Sequence, residues 1–213
     1  MFPLRDENPT ELVPYLTVAL VAVNVAVWVV VQGAGLDLET LRQSVCTFGA
    51  IPAEITGQSS PLPPGTPALR CPTGGLTWGA LFTSMFLHGS WMHLIGNMWF
   101  LWIFGNNIED SLGHLRFLVF YILSGLAASA GHILSGPGSP VPMVGASGAI
   151  SGVMGAYLVL YPRVRIHTLF FFFYFIRVIA IPAWFVLGEW FLIQLLAGTT
   201  TGAASGVAFW AHI

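Results

Sequence analysis

The stretch Tyr15 to Val31 runs without a single charged side chain. Its length stands at the lower end of what crosses a bilayer core of about 30 Å. Further apolar stretches follow along the chain. Charged residues make up only 8% of it and hydrophobic residues 55%, whereas a soluble domain carries about a quarter charged residues. So few ionisable groups cannot cover a water-facing surface. The solvent for most of this chain is therefore expected to be lipid, and the fold all-α and polytopic. A formal net charge of −2 leaves no basic footprint for nucleic acid. Met1 to Pro14 carries Arg5, Asp6, Glu7 and Glu11 and lacks the basic start of a secretory signal. The first apolar stretch reads as a retained span, preceded by a short segment, 1–14.

The spans are expected at Tyr15 to Val31, Trp78 to Phe104, Leu115 to Ala130 and Val144 to Leu160. Between the first two lies a long loop, about 32–76, with a short helix over Leu38 to Gln43 and a Pro-rich stretch. Cys46 and Cys71 both fall in this loop; they form one disulfide if it faces an oxidising compartment and remain free thiols otherwise. Asn106, Asn107, Glu109, Asp110 and Arg116 mark a short polar connection. Leu169 to Leu196 reads as an interfacial or re-entrant aromatic segment split by Pro182, with a fifth span from Ala183; one long kinked helix is the alternative. Gly202 to Ile213 begins a sixth helix of roughly 18 Å, short of the bilayer, so this helix is expected to be truncated. Arg5, Arg116, Arg163 and Arg165 fall on one side when spans alternate, which predicts a cytoplasmic N-terminus. The long loop and the loop before Ser147 then face outside.

Polar groups inside lipid are costly and are functional candidates. The run Gly145-Ala-Ser147-Gly148-Ala-Ile-Ser151-Gly152 has small residues four apart, which let helices approach closely. Gly145, Gly148 and Gly152 are expected to serve that packing. The same glycines leave Ser147 approachable as a nucleophile. His212 is the candidate base, since a neutral imidazole can take a serine proton, although a lone membrane histidine also serves as a packing residue. His93 and Asn97 lie four apart on one helical face, with His88 at the helix entrance. They read either as oxyanion donors or as an interhelical hydrogen-bond cluster. A metal site finds no support: HExxH is absent and no carboxylate lies nearby in the segment. No cofactor is expected.

Taken together, His88, His93 and Asn97 on the second span, Gly145-Ala-Ser147-Gly148 at the head of the fourth and Ala211-His212 on the sixth resemble the rhomboid family of intramembrane serine proteases. Phe-Gly-Asn-Asn-Ile-Glu-Asp after the second span looks like bacterial members. The resemblance implies a six-helix bundle in the bacterial plasma (inner) membrane. It implies a Ser147–His212 dyad, oxyanion donors from His93, Asn97 and the Ser147 N–H, a supporting role for His88, and transmembrane-helix substrates cut near the outer face. No acidic residue sits in these motifs, and a dyad does not require one. A non-catalytic rhomboid-like protein that binds membrane helices is the alternative. A transporter comes third, resting on Glu189 alone and without an internal repeat.

Overall fold

The computed structural model describes residues 1–60, 69, 71, 77–172, 175–201 and 212. Eight helices are described: α1 Tyr15–Val30, α2 Leu38–Phe48, α3 Pro52–Thr56, α4 Ala80–Thr83, α5 Trp91–Leu112, α6 His114–Ser135, α7 Ser147–Leu160 and α8 Ala183–Thr201. Three strands accompany them: β1 Phe2–Asp6, β2 Arg165–Phe172 and β3 Phe175–Pro182. Residues 202–211 and Ile213, the remainder of the expected sixth helix, lie outside the described residues.

The helices form a bundle in which α5 touches α1, α6 and α7, and α6 touches α7. Its core is aromatic and branched: Trp28, Phe104, Phe117, Tyr121, Tyr157, Leu101 and Ile108 are fully buried. The outward faces are apolar too, with Val23, Val29 and Val30 exposed on α1 and Leu115, Leu123 and Leu134 on α6. That is the pattern of helices solvated by lipid. Among the described residues α6 is long and apolar enough to cross a membrane. Tyr15–Val30, Ser147–Leu160 and Ala183–Thr199 are apolar but shorter.

Three sequence expectations are corrected. First, Arg165–Phe172 and Phe175–Pro182 are paired strands, neither a re-entrant segment nor a kinked helix. β2 and β3 pair antiparallel from Arg165↔Pro182 to Phe172↔Phe175, and β1 adds to β2 with Phe2 opposite Leu169 and Asp6 opposite Ile166. The run is dense in Phe and Ile, which favour the pleated backbone. Pro182, which cannot donate to a ladder, stands at the strand's last position. The all-α bundle therefore carries a small sheet at one end. Second, residues 106–110 are not a connection. They are the last turns of α5, and the connection to α6 is Gly113 at φ +75°, a left-handed region that favours glycine. Third, the second span does not start at Trp78. The short α4 and a 3-10 turn are separated from α5 by an extended break at Leu87, and Ser90 caps α5 by accepting from the His93 N–H at 3.2 Å.

The polar end of α5 explains how the bundle closes. α1 starts after Pro14 with no side-chain cap of its own. Glu109 supplies one from α5: its carboxylate accepts from the Leu16 N–H (2.8 Å), the Thr17 N–H (2.7 Å) and Thr17 Oγ1 (2.7 Å), and it meets His114 Nδ1 at 2.6 Å. These are the orphan donors of a helix first turn, answered by a buried anion at the positive end of the macrodipole. Asp110 accepts from the Glu11 and Leu12 N–H groups. Asp6, on β1, accepts from Tyr157 Oη at 2.6 Å and Asn107 Nδ2 at 2.8 Å, while Trp99 Nε1 donates to the Pro3 carbonyl. The N-terminal strand, the α5–α6 turn and the β2–β3 pair thus share one end of the bundle.

At the other end lie the first loop and the segment before Ser147. They are joined by the Ala50↔Met143 bridge. Asp37 caps α2, which runs on to Phe48, well past Gln43. Cys46 and Cys71 form a disulfide.

Candidate functional site

Ser147 is the first residue of α7. A helix first turn has N–H groups without intrahelical acceptors, and its dipole favours negative charge there. Ser151, one turn on, donates its hydroxyl back to the Ser147 carbonyl at 2.8 Å. Ser147 Oγ lies 2.7 Å from His212 Nε2. The other ring nitrogen, His212 Nδ1, lies 2.7 Å from Gln194 Oε1 on α8. A carboxamide oxygen only accepts, so the proton sits on Nδ1 and the Nε2 lone pair faces the serine hydroxyl. Trp190, one helical turn before Gln194, places its ring 5.9 Å from the imidazole at 36° and also meets Phe100 of α5 at 6.3 Å.

His93 approaches from α5. Its Nδ1 accepts the Gly89 N–H at 3.4 Å, which leaves the ring proton on Nε2. That nitrogen faces Gly145. A Cβ built on Gly145 would stand 2.8 Å from His93 Nε2 and 3.4 Å from Ser147 Oγ. Gly145 also has φ +131°, a region that side chains rarely adopt. The residue before the helix is thus glycine for two reasons: the backbone turn and the imidazole against it. Its N–H donates to the Ser84 carbonyl at 2.9 Å, holding the turn in place.

Asn97 follows His93 by one turn on α5 and is buried, and its Nδ2 has no hydrogen-bond partner. A buried amide donor without a partner costs about 1–3 kcal/mol. His88 is fully buried and packs edge-on against His93 with centroids 5.1 Å apart. Its backbone is clamped by Gln32, whose side chain accepts from the His88 N–H at 2.8 Å and donates to its carbonyl at 2.7 Å. His88 therefore sits behind His93 and does not meet Ser147 in the described contacts. Gly148 lines a small cavity beside Ser147 together with Ser84, Met85, Gly125, Ser129 and Met143. Gly152 lies against Ser124 of α6, where a Cβ would collide.

Sequence reasoning missed Gln194. The signal was present: it is the one polar side chain in the run Trp190 to Leu196, and an amide in an apolar span calls for a partner. Glu189, which a transporter would use, is half-buried on α8, and no described contact ties it to Ser147. Among the described residues no cluster of His, Cys, Asp or Glu could hold a metal ion.

The fold and the site define a class: a lipid-solvated helical bundle with a serine–histidine pair at one end. A family model described as the Rhomboid domain matches residues 76–213, and the chain belongs to the rhomboid family. Membership makes it an integral membrane protein. The chain is 40% identical to YdcA of Bacillus subtilis (strain 168) over 81 residues, covering 38% of this chain and 40% of that protein. It is 42% identical to Rhomboid protease GluP of the same organism over 81 residues, 38% of this chain and 15% of GluP. A longer match, 30% over 172 residues, relates it to RHOMBOID-like protein 6, mitochondrial, of Arabidopsis thaliana, covering 72% of this chain and 54% of that protein. The matched stretches thus span about half or less of these relatives' lengths.

Proposed function

We propose that this chain is an intramembrane serine endopeptidase that cuts a transmembrane helix near the outer membrane face with a Ser147–His212 dyad. The observation that carries the reading is the 2.7 Å approach of His212 Nε2, lone pair forward, to Ser147 Oγ. Proton transfer to a positioned base needs this reach.

In the reaction, His212 Nε2 takes the hydroxyl proton as Ser147 Oγ bonds to the scissile carbonyl carbon. The carbonyl electron pair moves onto oxygen. Negative charge develops beside the Ser147 N–H, His93 Nε2–H and Asn97 Nδ2–H, which act as the oxyanion donors. When the tetrahedral species collapses, the C–N bond breaks and the leaving amine takes the proton from His212. The acyl-enzyme then reacts with water. His212 accepts a water proton, the hydroxyl bonds to the acyl carbon, and the proton returns to Ser147 Oγ as the acid product departs.

The substrate helix must unwind locally, because a helical backbone shields its own carbonyls. It enters laterally beside α8, where Trp184 and Phe185 are exposed and Trp190 bridges Phe100 to His212. The N-terminus lies on the cytoplasmic side of a bacterial plasma membrane. The basic residues near the N-terminal-strand end support this, as does a disulfide in the loop at the opposite end, which fits an oxidising compartment.

The test is cleavage of a single-span model substrate in proteoliposomes. Wild-type protein is expected to release a product cut within or next to the span, and Ser147→Ala and His212→Ala to release none. A substrate bound and left intact by wild-type protein would replace this reading with a helix-binding one.

A further inference from the structure

We propose that Gln194 is the positioning residue of the base, so that the catalytic unit is a Ser147–His212–Gln194 relay with an uncharged third member. The inference rests on the proposed hydrolase reading and adds a residue to it.

Three contacts converge on one imidazole. Ser147 Oγ meets Nε2 and Gln194 Oε1 meets Nδ1, both at 2.7 Å, on opposite sides of the ring. Trp190 covers the ring from the same helix that supplies Gln194. Positions 190 and 194 are one helical turn apart, so α8 presents both to the same neighbour. An imidazole held only at Nε2 can swing about its side-chain torsions and can adopt either tautomer. The tautomer with the proton on Nε2 cannot accept from serine. An acceptor fixed at Nδ1 removes both freedoms.

A carboxylate would do the same with stronger attraction to the imidazolium. In lipid, however, an ionised carboxylate carries a large desolvation cost. A carboxamide provides the acceptor without the charge. This accounts for a base without an acidic partner among the described contacts. Gln194 touches His212 and not the reacting atoms, so its effect is on how often and in which tautomer the base is presented.

The experiment measures the rate of fluorophosphonate labelling across pH for the full chain in detergent micelles, comparing wild type, Gln194→Leu and Gln194→Glu. The probe's phosphorus takes the Ser147 oxygen and loses fluoride, while the hydroxyl proton passes to His212, so the rate reads the base directly. Gln194→Leu, of similar bulk and without an acceptor, is expected to label about tenfold to a hundredfold more slowly, the effect of an imidazole N–H left without a partner. Gln194→Glu restores the acceptor. It is expected to recover most of the rate and to move the acidic limb of the profile to higher pH, because a carboxylate on Nδ1–H favours the imidazolium. A role in packing alone would move no limb. Gln194→Leu labelling at the wild-type rate overturns the proposal. So does Gln194→Glu labelling as slowly as Gln194→Leu. Wild-type protein that shows no labelling at Ser147 overturns the hydrolase reading and this inference with it. A labelled wild type with indifferent Gln194 variants removes this inference alone.

Discussion

The carboxylates at one end of the bundle and the Asn97 amide at the other stand in opposite states. At the N-terminal-strand end the carboxylates are saturated. Glu109 accepts from two backbone amides and the Thr17 hydroxyl and meets His114 as well, and Asp6 holds Tyr157 and Asn107. At the Ser147 end a donor is left without a partner: Asn97 Nδ2 is buried and unpaired. One end uses hydrogen bonds to close the bundle. The other keeps an unpaired donor that costs stability, as the proposed oxyanion role requires. Substitutions should therefore separate, with losses of activity at one end and losses of stability at the other.

Outside the Ser147–His212 pair, the largest effect is expected at Asn97. Asn97→Ala should lower the cleavage rate about 10²–10³-fold, the usual loss for one oxyanion donor, and leave the unfolding free energy unchanged or slightly improved. Cleavage kinetics alongside denaturant unfolding in micelles checks both halves. An Asn97→Ala protein that loses stability instead would erase the contrast between the ends. Next comes Glu109→Ala, which strips the acceptor from the first turn of α1. A loss of about 3 kcal/mol is expected from unanswered buried donors, with the rate per folded molecule preserved.

Asp6 gives a smaller effect with a defined pH dependence. Burial holds its carboxyl above the usual carboxylate range, outweighing the hydrogen bonds from Tyr157 and Asn107 that favour the charge. The folded state therefore binds this proton more tightly than the unfolded chain. The stabilisation is fully present below the ordinary aspartate value near 3.9 and is lost as pH rises through the raised folded value. Asp6→Asn should flatten that part of the stability profile, read by unfolding at pH 3.5 to 7. The smallest effect is expected at the half-exposed Glu7–His167 pair, 2.8 Å apart across β1 and β2. Glu7→Gln should cost under about 1 kcal/mol, less in high salt.

How far the sequence foretold this arrangement differs between the same two ends. Ser147, His212, His93 and Asn97 stand out because polar groups are rare in apolar spans, so few candidates compete. The 2.7 Å approach of Ser147 to His212 joins two residues named from sequence alone. The start of α8 at Ala183 was legible from Pro182, and α1 from Pro14. The strand end was less so. Residues 165–182 are as apolar as a span, and periodicity does not separate a short apolar strand from membrane helix. The ladder with Phe2–Asp6 that decides the matter joins residues more than 150 positions apart. Residues 106–110 read as a connection because their polarity suggests water, whereas Glu109 answers the first-turn amides of α1, Asp110 the Glu11 and Leu12 amides, and Asn107 the Asp6 carboxylate. Gln194 carries no charge, and only its contact with His212 sets it apart from a packing residue.

The central claim is that Ser147 is a nucleophile activated by His212. The most direct measurement is mass spectrometry of the purified protein after fluorophosphonate treatment, with peptide mapping of the adduct in wild type, Ser147→Ala and His212→Ala. The account predicts one adduct per chain, on Ser147, absent from Ser147→Ala and formed at least about 10³-fold more slowly in His212→Ala. An adduct on another residue, or labelling of Ser147 at an unchanged rate without His212, would contradict it.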